Sequence, residues 1–155
     1  MSVLGELQPN KVFKYFEEIC SIPHGSRNLQ QISDYLVDFA KAHELKYRQD
    51  EDLNVIIWKD GSKGYEASEP VILQGHMDMV AVKEADCDKD MEKEGLDLEI
   101  NGDYISAKGT SLGGDDGIAV AYTLAVLDDE EMAHPPIEAI FTVNEEIGML
   151  GAATI

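Results

Sequence analysis

Three short stretches carry the residue types that metal-assisted hydrolysis uses. The first is Val71-Ile72-Leu73-Gln74-Gly75-His76-Met77-Asp78-Met79-Val80, an apolar run that passes through a glycine into a histidine and an aspartate. Such a run reads as a buried strand that ends where chemistry can begin. In an extended backbone, side chains at i and i+2 share a face, so His76 and Asp78 point the same way. Imidazole is a favoured zinc ligand, and its second ring nitrogen usually goes to a carboxylate or carbonyl that fixes the ring. A plain structural hydrogen bond is the competing reading of this pair. Gly75 lets backbone or substrate come close.

The second stretch, Gly109-Thr110-Ser111-Leu112-Gly113-Gly114-Asp115-Asp116-Gly117, is a glycine-rich turn leading into a helix. It places two aspartates at the helix N-terminus, where capping and the dipole would favour them in any case. The third, Asn144-Glu145-Glu146-Ile147-Gly148, follows a strand and by itself reads as a solvated turn. Sites in sheet-and-helix domains gather where strand ends face a common crevice, so the three stretches can converge despite their separation. Nitrogen and carboxylate ligands suit zinc, and ligand type also admits manganese or cobalt. Adjacent Glu145 and Glu146 point in different directions. One can bind metal while the other takes a proton from a water whose pKa the metal lowers to about 7.

The elements that must position these groups follow from periodicity. Pro9 opens a helix whose apolar face is Val12, Phe13, Phe16, Ile19 and Cys20, and Pro23 ends it. His24 then falls in a Pro/Gly turn. Asn28, with Gln31 three positions on, is the expected cap of a second helix with the stripe Leu29, Ile32, Leu36, Phe39 and Ala40, and His43 complements its C-terminal dipole. Residues 54–58 read as a strand. Leu96, Leu98 and Ile100 alternate into a hairpin turning at Asn101-Gly102, with residues 104–107 returning. Residues 118–127 are apolar nearly all round and predict a buried helix. His134 is expected to be exposed in a proline turn, residues 137–143 form a further strand, and residues 149–155 look like the start of a helix. Asp86, Asp88 and Asp90 alternate as in a calcium loop, but Met91 and Asp97 stand where that loop needs glycine and glutamate.

Composition narrows the partners. The chain has 155 residues, 44% of them hydrophobic, and a formal net charge of −19. One domain with a sizeable core fits this length. The acidity repels nucleic-acid phosphates and anionic membranes, so neither is expected as a partner. It also leaves carboxylates free to gather round a cation. Two cysteines, Cys20 and Cys87, make neither a disulfide framework nor a cysteine zinc site. No secretory signal or membrane-length apolar run is visible, and the expected location is the cytoplasm.

Taken together, the three stretches in this order and spacing resemble the metal-binding segments of the co-catalytic dizinc peptidases that include carboxypeptidase G, peptidase T and the aminoacyl-histidine dipeptidases. Gly117, where many relatives carry lysine, and Ser21-Ile22-Pro23-His24-Gly25-Ser26 are closer to the aminoacyl-histidine dipeptidase branch. The resemblance implies an α/β fold with helices on a mixed central sheet, and two Zn2+ per complete site. His76 would bind one metal, Asp115 would bridge both and Glu146 would bind the other. Asp78 would orient His76, and Glu145 would be the general base. A further carboxylate and a late histidine of the family have no match here. Residues 1–155 are therefore expected to be the N-terminal portion of a catalytic domain, inactive alone, without the lid or dimerisation domain of a homodimeric enzyme. The implied substrates are Xaa-His or similar unblocked dipeptides. Two other readings stay open: an amidohydrolase or deacylase of the same superfamily, and a non-catalytic metal-binding or interaction module.

Overall fold

The computed structural model describes residues 2–155. Two amphipathic helices come first, α1 (Asn10–Cys20) and α2 (Gln30–Ala42). Pro9 sits at the N-cap of α1, and α1 buries Val12, Phe16, Ile19 and Cys20 as the spacing requires, with Tyr15 added. In α2 the stripe Ile32, Leu36, Phe39 and Ala40 is buried. Asn28 does not cap α2: Leu29 is the cap residue, and the Asn28 amide donates instead to the Glu92 carbonyl at 2.9 Å.

The strands are β1 (Lys46–Gln49), β2 (Val55–Lys59), β3 (Val71–His76), β4 (Leu98–Asn101), β5 (Tyr104–Ala107) and β6 (Ile137–Thr142), with α3 (Gly114–Leu127) between β5 and β6. Four of them form a mixed sheet in the order β1-β2-β6-β3. β1, β2 and β6 are antiparallel neighbours, whereas β3 runs parallel to β6, with His76 paired to Thr142. The expected mixed α/β architecture is thus present. β4 and β5 form a separate hairpin in which Asn101 pairs with Tyr104. Its turn residues are therefore Gly102 and Asp103, one position later than expected, with Gly102 supplying the positive φ of 63°.

One face of the sheet carries the core. Val55 and Ile57 of β2 and Ile137, Ala139 and Phe141 of β6 are buried and alternate with less buried neighbours. α3 lies over β3 and against α1, and α2 covers β1 and β2. Burial of each such large apolar side chain stabilises the fold by about 1.5–3 kcal/mol. Gly75 marks the closest approach of α3 to β3, because a Cβ there would meet Asp116 Oδ2 at 3.2 Å and the Ala119 methyl at 3.3 Å. The close approach is thus made by the protein's own helix.

Three further expectations change, and one strand and one buried turn histidine are added. β3 is an edge strand, with Val71 44% and Ile72 59% exposed, so its apolar run does not signal burial on both faces. β1, with the polar sequence Lys-Tyr-Arg-Gln, is a strand that periodicity missed. His134 is buried, its Nδ1 2.8 Å from the Pro135 carbonyl, and His24 is buried with Nδ1 2.6 Å from the Ile22 carbonyl. Residues 149–155 form turns instead of a helix start. The amides of Leu150 and Gly151 return to the Asn144 and Val143 carbonyls at 3.2 and 2.9 Å, and Asn54 holds Gly151 from the other side.

Candidate metal centre

The parallel pairing of β3 and β6 brings the C-terminal ends of both strands to one place. His76 is the last residue of β3, and the segment carrying Glu145 and Glu146 follows β6. The turn before α3 completes the arrangement. At Asp115 and Asp116 the backbone leaves helical geometry (φ −89°, ψ 108° and φ −119°, ψ 26°), with a cis peptide bond between them. The Asp115 carboxylate reaches the imidazole. Asp116 behaves partly as a cap, since its carboxylate takes the backbone N–H groups of His76 and Ala119.

His76 Nε2 lies 3.0 Å from Asp115 Oδ1 and 3.8 Å from Glu145 Oε2. Nδ1 faces the Asp78 main-chain carbonyl at 2.9 Å. A carbonyl only accepts, so Nδ1 carries a proton and donates it. Nε2 is then the nitrogen turned to the carboxylates, as metal ligation demands. Burial alone would disfavour the imidazolium, but the hydrogen bonds to Asp115 and to the Asp78 carbonyl outweigh it and hold the His76 pKa above its ordinary value. Burial raises the Asp116 pKa, although the amide of His76 opposes that shift.

Ligand atoms of His76, Asp115 and Asp116 lie within 4.8 Å of one another, and so do those of His76, Glu145 and Glu146. Among the described residues, none of these four carboxylates is paired with a lysine or arginine. An imidazole nitrogen facing carboxylates that no lysine or arginine balances is a donor set that fits a divalent cation of borderline hardness, which would take the place of the proton between Nε2 and Asp115. The two glutamates also line different clefts. Glu145 borders one of about 490 Å³ with His76, Asp115, Gln74 and Thr142. Glu146 borders one of about 510 Å³ with Gly25, Arg27, Met79 and Ile147.

Asp78 meets His76 through its main chain. Its carbonyl, not its carboxylate, makes the short contact to His76; Oδ1 is 3.5 Å from Nδ1. The carboxylate instead accepts the amides of Glu145 and Glu146 at 2.9 and 3.3 Å and the Ser26 hydroxyl at 2.7 Å. Asp116, inside one of the two groups, and Ser26, beside them, are residues that motif reasoning left without a role in the site. His24, His43 and His134 lie outside the groups that could hold a cation.

No family model matches the chain. Among relatives, it is 41% identical over 152 residues to the cytosol non-specific dipeptidase of Escherichia coli (strain K12), covering 98% of this chain and 31% of that protein. Among solved structures, a tripeptidase from Staphylococcus aureus shares the fold at a TM-score of 0.77 and 24% identity, covering 97% of this chain and 40% of that one. The fold is thus one that peptidases use. The aminoacylhistidine dipeptidase of Vibrio alginolyticus superposes at a TM-score of 0.95 with 39% identity, over 98% of this chain and 31% of that one. The resemblance read from the motifs is therefore borne out: in sequence and fold the chain is similar to part of these dipeptidases, spanning about a third of their length.

Proposed function

We propose that the protein carrying this chain is a metal-dependent dipeptidase acting on Xaa-His or similar unblocked dipeptides. The observation that carries the reading is the convergence of His76, Asp115, Asp116, Glu145 and Glu146 into groups spanning 4.8 Å with no balancing lysine or arginine. The dipeptidase names of the similar proteins support the substrate class. Residues 1–155 would be a portion of a larger catalytic domain that completes the ligand set. The whole enzyme would work in the cytoplasm as a homodimer, the location matching the cytosolic name of its relative. No helix among the described residues is long and apolar enough to cross a membrane.

His76, Asp115 and Glu146 would hold the metal, for which Zn2+ suits the ligand types and Mn2+ or Co2+ is chemically admissible. When bound, the metal supplies Lewis acidity and makes a nearby water acidic near neutral pH. Asp78 fixes the His76 ring through its carbonyl, which takes the Nδ1 proton and leaves Nε2 aimed at the cluster. Glu145, on the cleft shared with His76 and Asp115, takes the water's proton on its carboxylate during attack at the scissile carbonyl. It then returns that proton to the departing amine.

The test uses the intact protein with metal restored. Turnover of free dipeptides with N-acylated amino acids left untouched is the expected result. Hydrolysis of N-acylated amino acids with free dipeptides left intact would replace the dipeptidase reading with a deacylase. Absence of turnover on both, with no metal retained, would replace it with a non-catalytic module.

A further inference from the structure

We propose that Ser26 is a positioning residue: through the Asp78 carboxylate, its hydroxyl fixes the Glu145–Glu146 segment against the end of β3 that carries His76. The inference rests on the metallopeptidase reading and adds a residue to it.

The ladder between β3 and β6 ends at His76 and Thr142, with one further bond from the Met77 amide to the Thr142 carbonyl at 2.8 Å. Beyond that point both chains leave the sheet, and the two halves of the cluster need another link. Asp78 provides it. Its carboxylate is 1% exposed and takes the Glu145 amide on Oδ1 at 2.9 Å and the Glu146 amide on Oδ2 at 3.3 Å. The same residue's carbonyl holds the imidazole. One buried residue, through its carboxylate and its carbonyl, therefore ties both glutamates to the histidine.

A buried carboxylate must have its lone pairs satisfied, and hydrogen bonds to charged groups are the stronger ones. The shortest bond that Asp78 receives comes from Ser26 Oγ, at 2.7 Å to Oδ2. Without it, Oδ2 would keep only the 3.3 Å contact to Glu146, and the carboxylate could pivot about its Cβ bond. Ser26 is itself held. Its amide donates to the Met79 carbonyl at 3.1 Å, and the Met79 amide donates to the His24 carbonyl at the same distance. Gly25 permits this approach, since a Cβ there would meet the Ala81 methyl at 2.7 Å. Arg27 continues the link, its amide donating to Asn144 Oδ1 at 2.8 Å, one residue before Glu145. The turn between α1 and α2 thus grips the glutamate segment at two adjacent positions.

The experiment compares the intact protein with its Ser26→Ala and Ser26→Thr variants in three readouts. These are zinc affinity of the metal-stripped protein by calorimetry, kcat and KM on a dipeptide, and amide exchange at Glu145 and Glu146. Loss of a group that orients ligands weakens metal binding by about 10–100-fold. For Ser26→Ala we expect such a loss, a fall in kcat with KM little changed, and faster exchange at the two glutamate amides while β6 stays protected. Ser26→Thr keeps the hydroxyl and restores all three. Wild-type zinc affinity and unchanged glutamate exchange in Ser26→Ala would overturn the proposal. So would faster exchange spread over β2 and β6, which would mean a general loss of structure. Should Ser26→Ala not fold, Ser26→Cys keeps the bulk with a weak donor and is read by the same criteria. If the wild-type protein takes up no zinc, the metallopeptidase reading fails, and the exchange measurement still decides what Ser26 does.

Discussion

His76 and Asp115 lie 3.0 Å apart, yet they are held in opposite ways: the imidazole is 8% exposed and the aspartate side chain 86% exposed. The histidine belongs to the fold. It ends a strand, donates to a neighbouring carbonyl and is buried. The aspartate and the glutamates belong to turns, and their charges are uncompensated until a cation arrives. One ligand is thus built into the fold, whereas the Asp115 carboxylate stands in solvent, held on one side by the imidazole. Metal held by these carboxylates would link ligation to folding stability.

The comparison can be broken in several ways, the largest effect being on catalysis. Glu145→Ala in the intact protein should lower kcat by about 10²–10⁴-fold, the usual contribution of a general base, while calorimetry shows metal still bound. Retained turnover would remove Glu145 from the chemistry. Zinc at a hundred times its Kd should raise stability by about 2.7 kcal/mol, read as a rise in Tm that Asp115→Ala abolishes. Without metal, His76→Ala should destabilise by about 1–3 kcal/mol, because the Asp78 carbonyl loses its donor in a buried place. Asp115→Ala should by contrast change metal-free stability by no more than about 0.5 kcal/mol in urea unfolding. Equal costs for the two would mean that the histidine and the aspartate are held alike.

The smallest effect concerns pH. Burial depresses the His24 pKa below its ordinary 6.5, with the Ile22 carbonyl and Asp78 only partly offsetting it. The unfolded chain therefore binds this proton first as the solution is acidified. The contribution is full above pH about 6.5 and is lost as pH falls from there towards the depressed folded value. Urea unfolding of metal-free protein should show that slope, and His24→Gln should flatten it.

Much of this was legible in residue types and spacing. The stripes of α1 and α2 follow the helical period, so their buried faces could be named, and the strand before His76 and the strand before Glu145 announced themselves by their apolar runs. The mixed sheet and the similarity to dipeptidases agree with what those motifs implied. What escaped depends on distant partners. Whether Val71 and Ile72 are covered is decided by their place at a sheet edge, which no local pattern encodes. β1 is polar because it lies at the other edge. His24 and His134 look like loop residues because prolines surround them, whereas packing from remote elements buries them. The direction of the Asp78 carboxylate depends on Ser26, 52 positions earlier, and on two amides 67 and 68 positions later. The hydroxyl of an isolated serine in a turn gives no hint of such a partner.

The central claim is that these separated residues form one metal centre. Its most direct test is a zinc titration of the metal-stripped intact protein by calorimetry, beside its Asp115→Ala variant. Tight binding in the first and its loss in the second is the result predicted. Equal binding in both, or no zinc bound by either, would contradict the assignment of His76, Asp115 and Glu146 to a shared metal site.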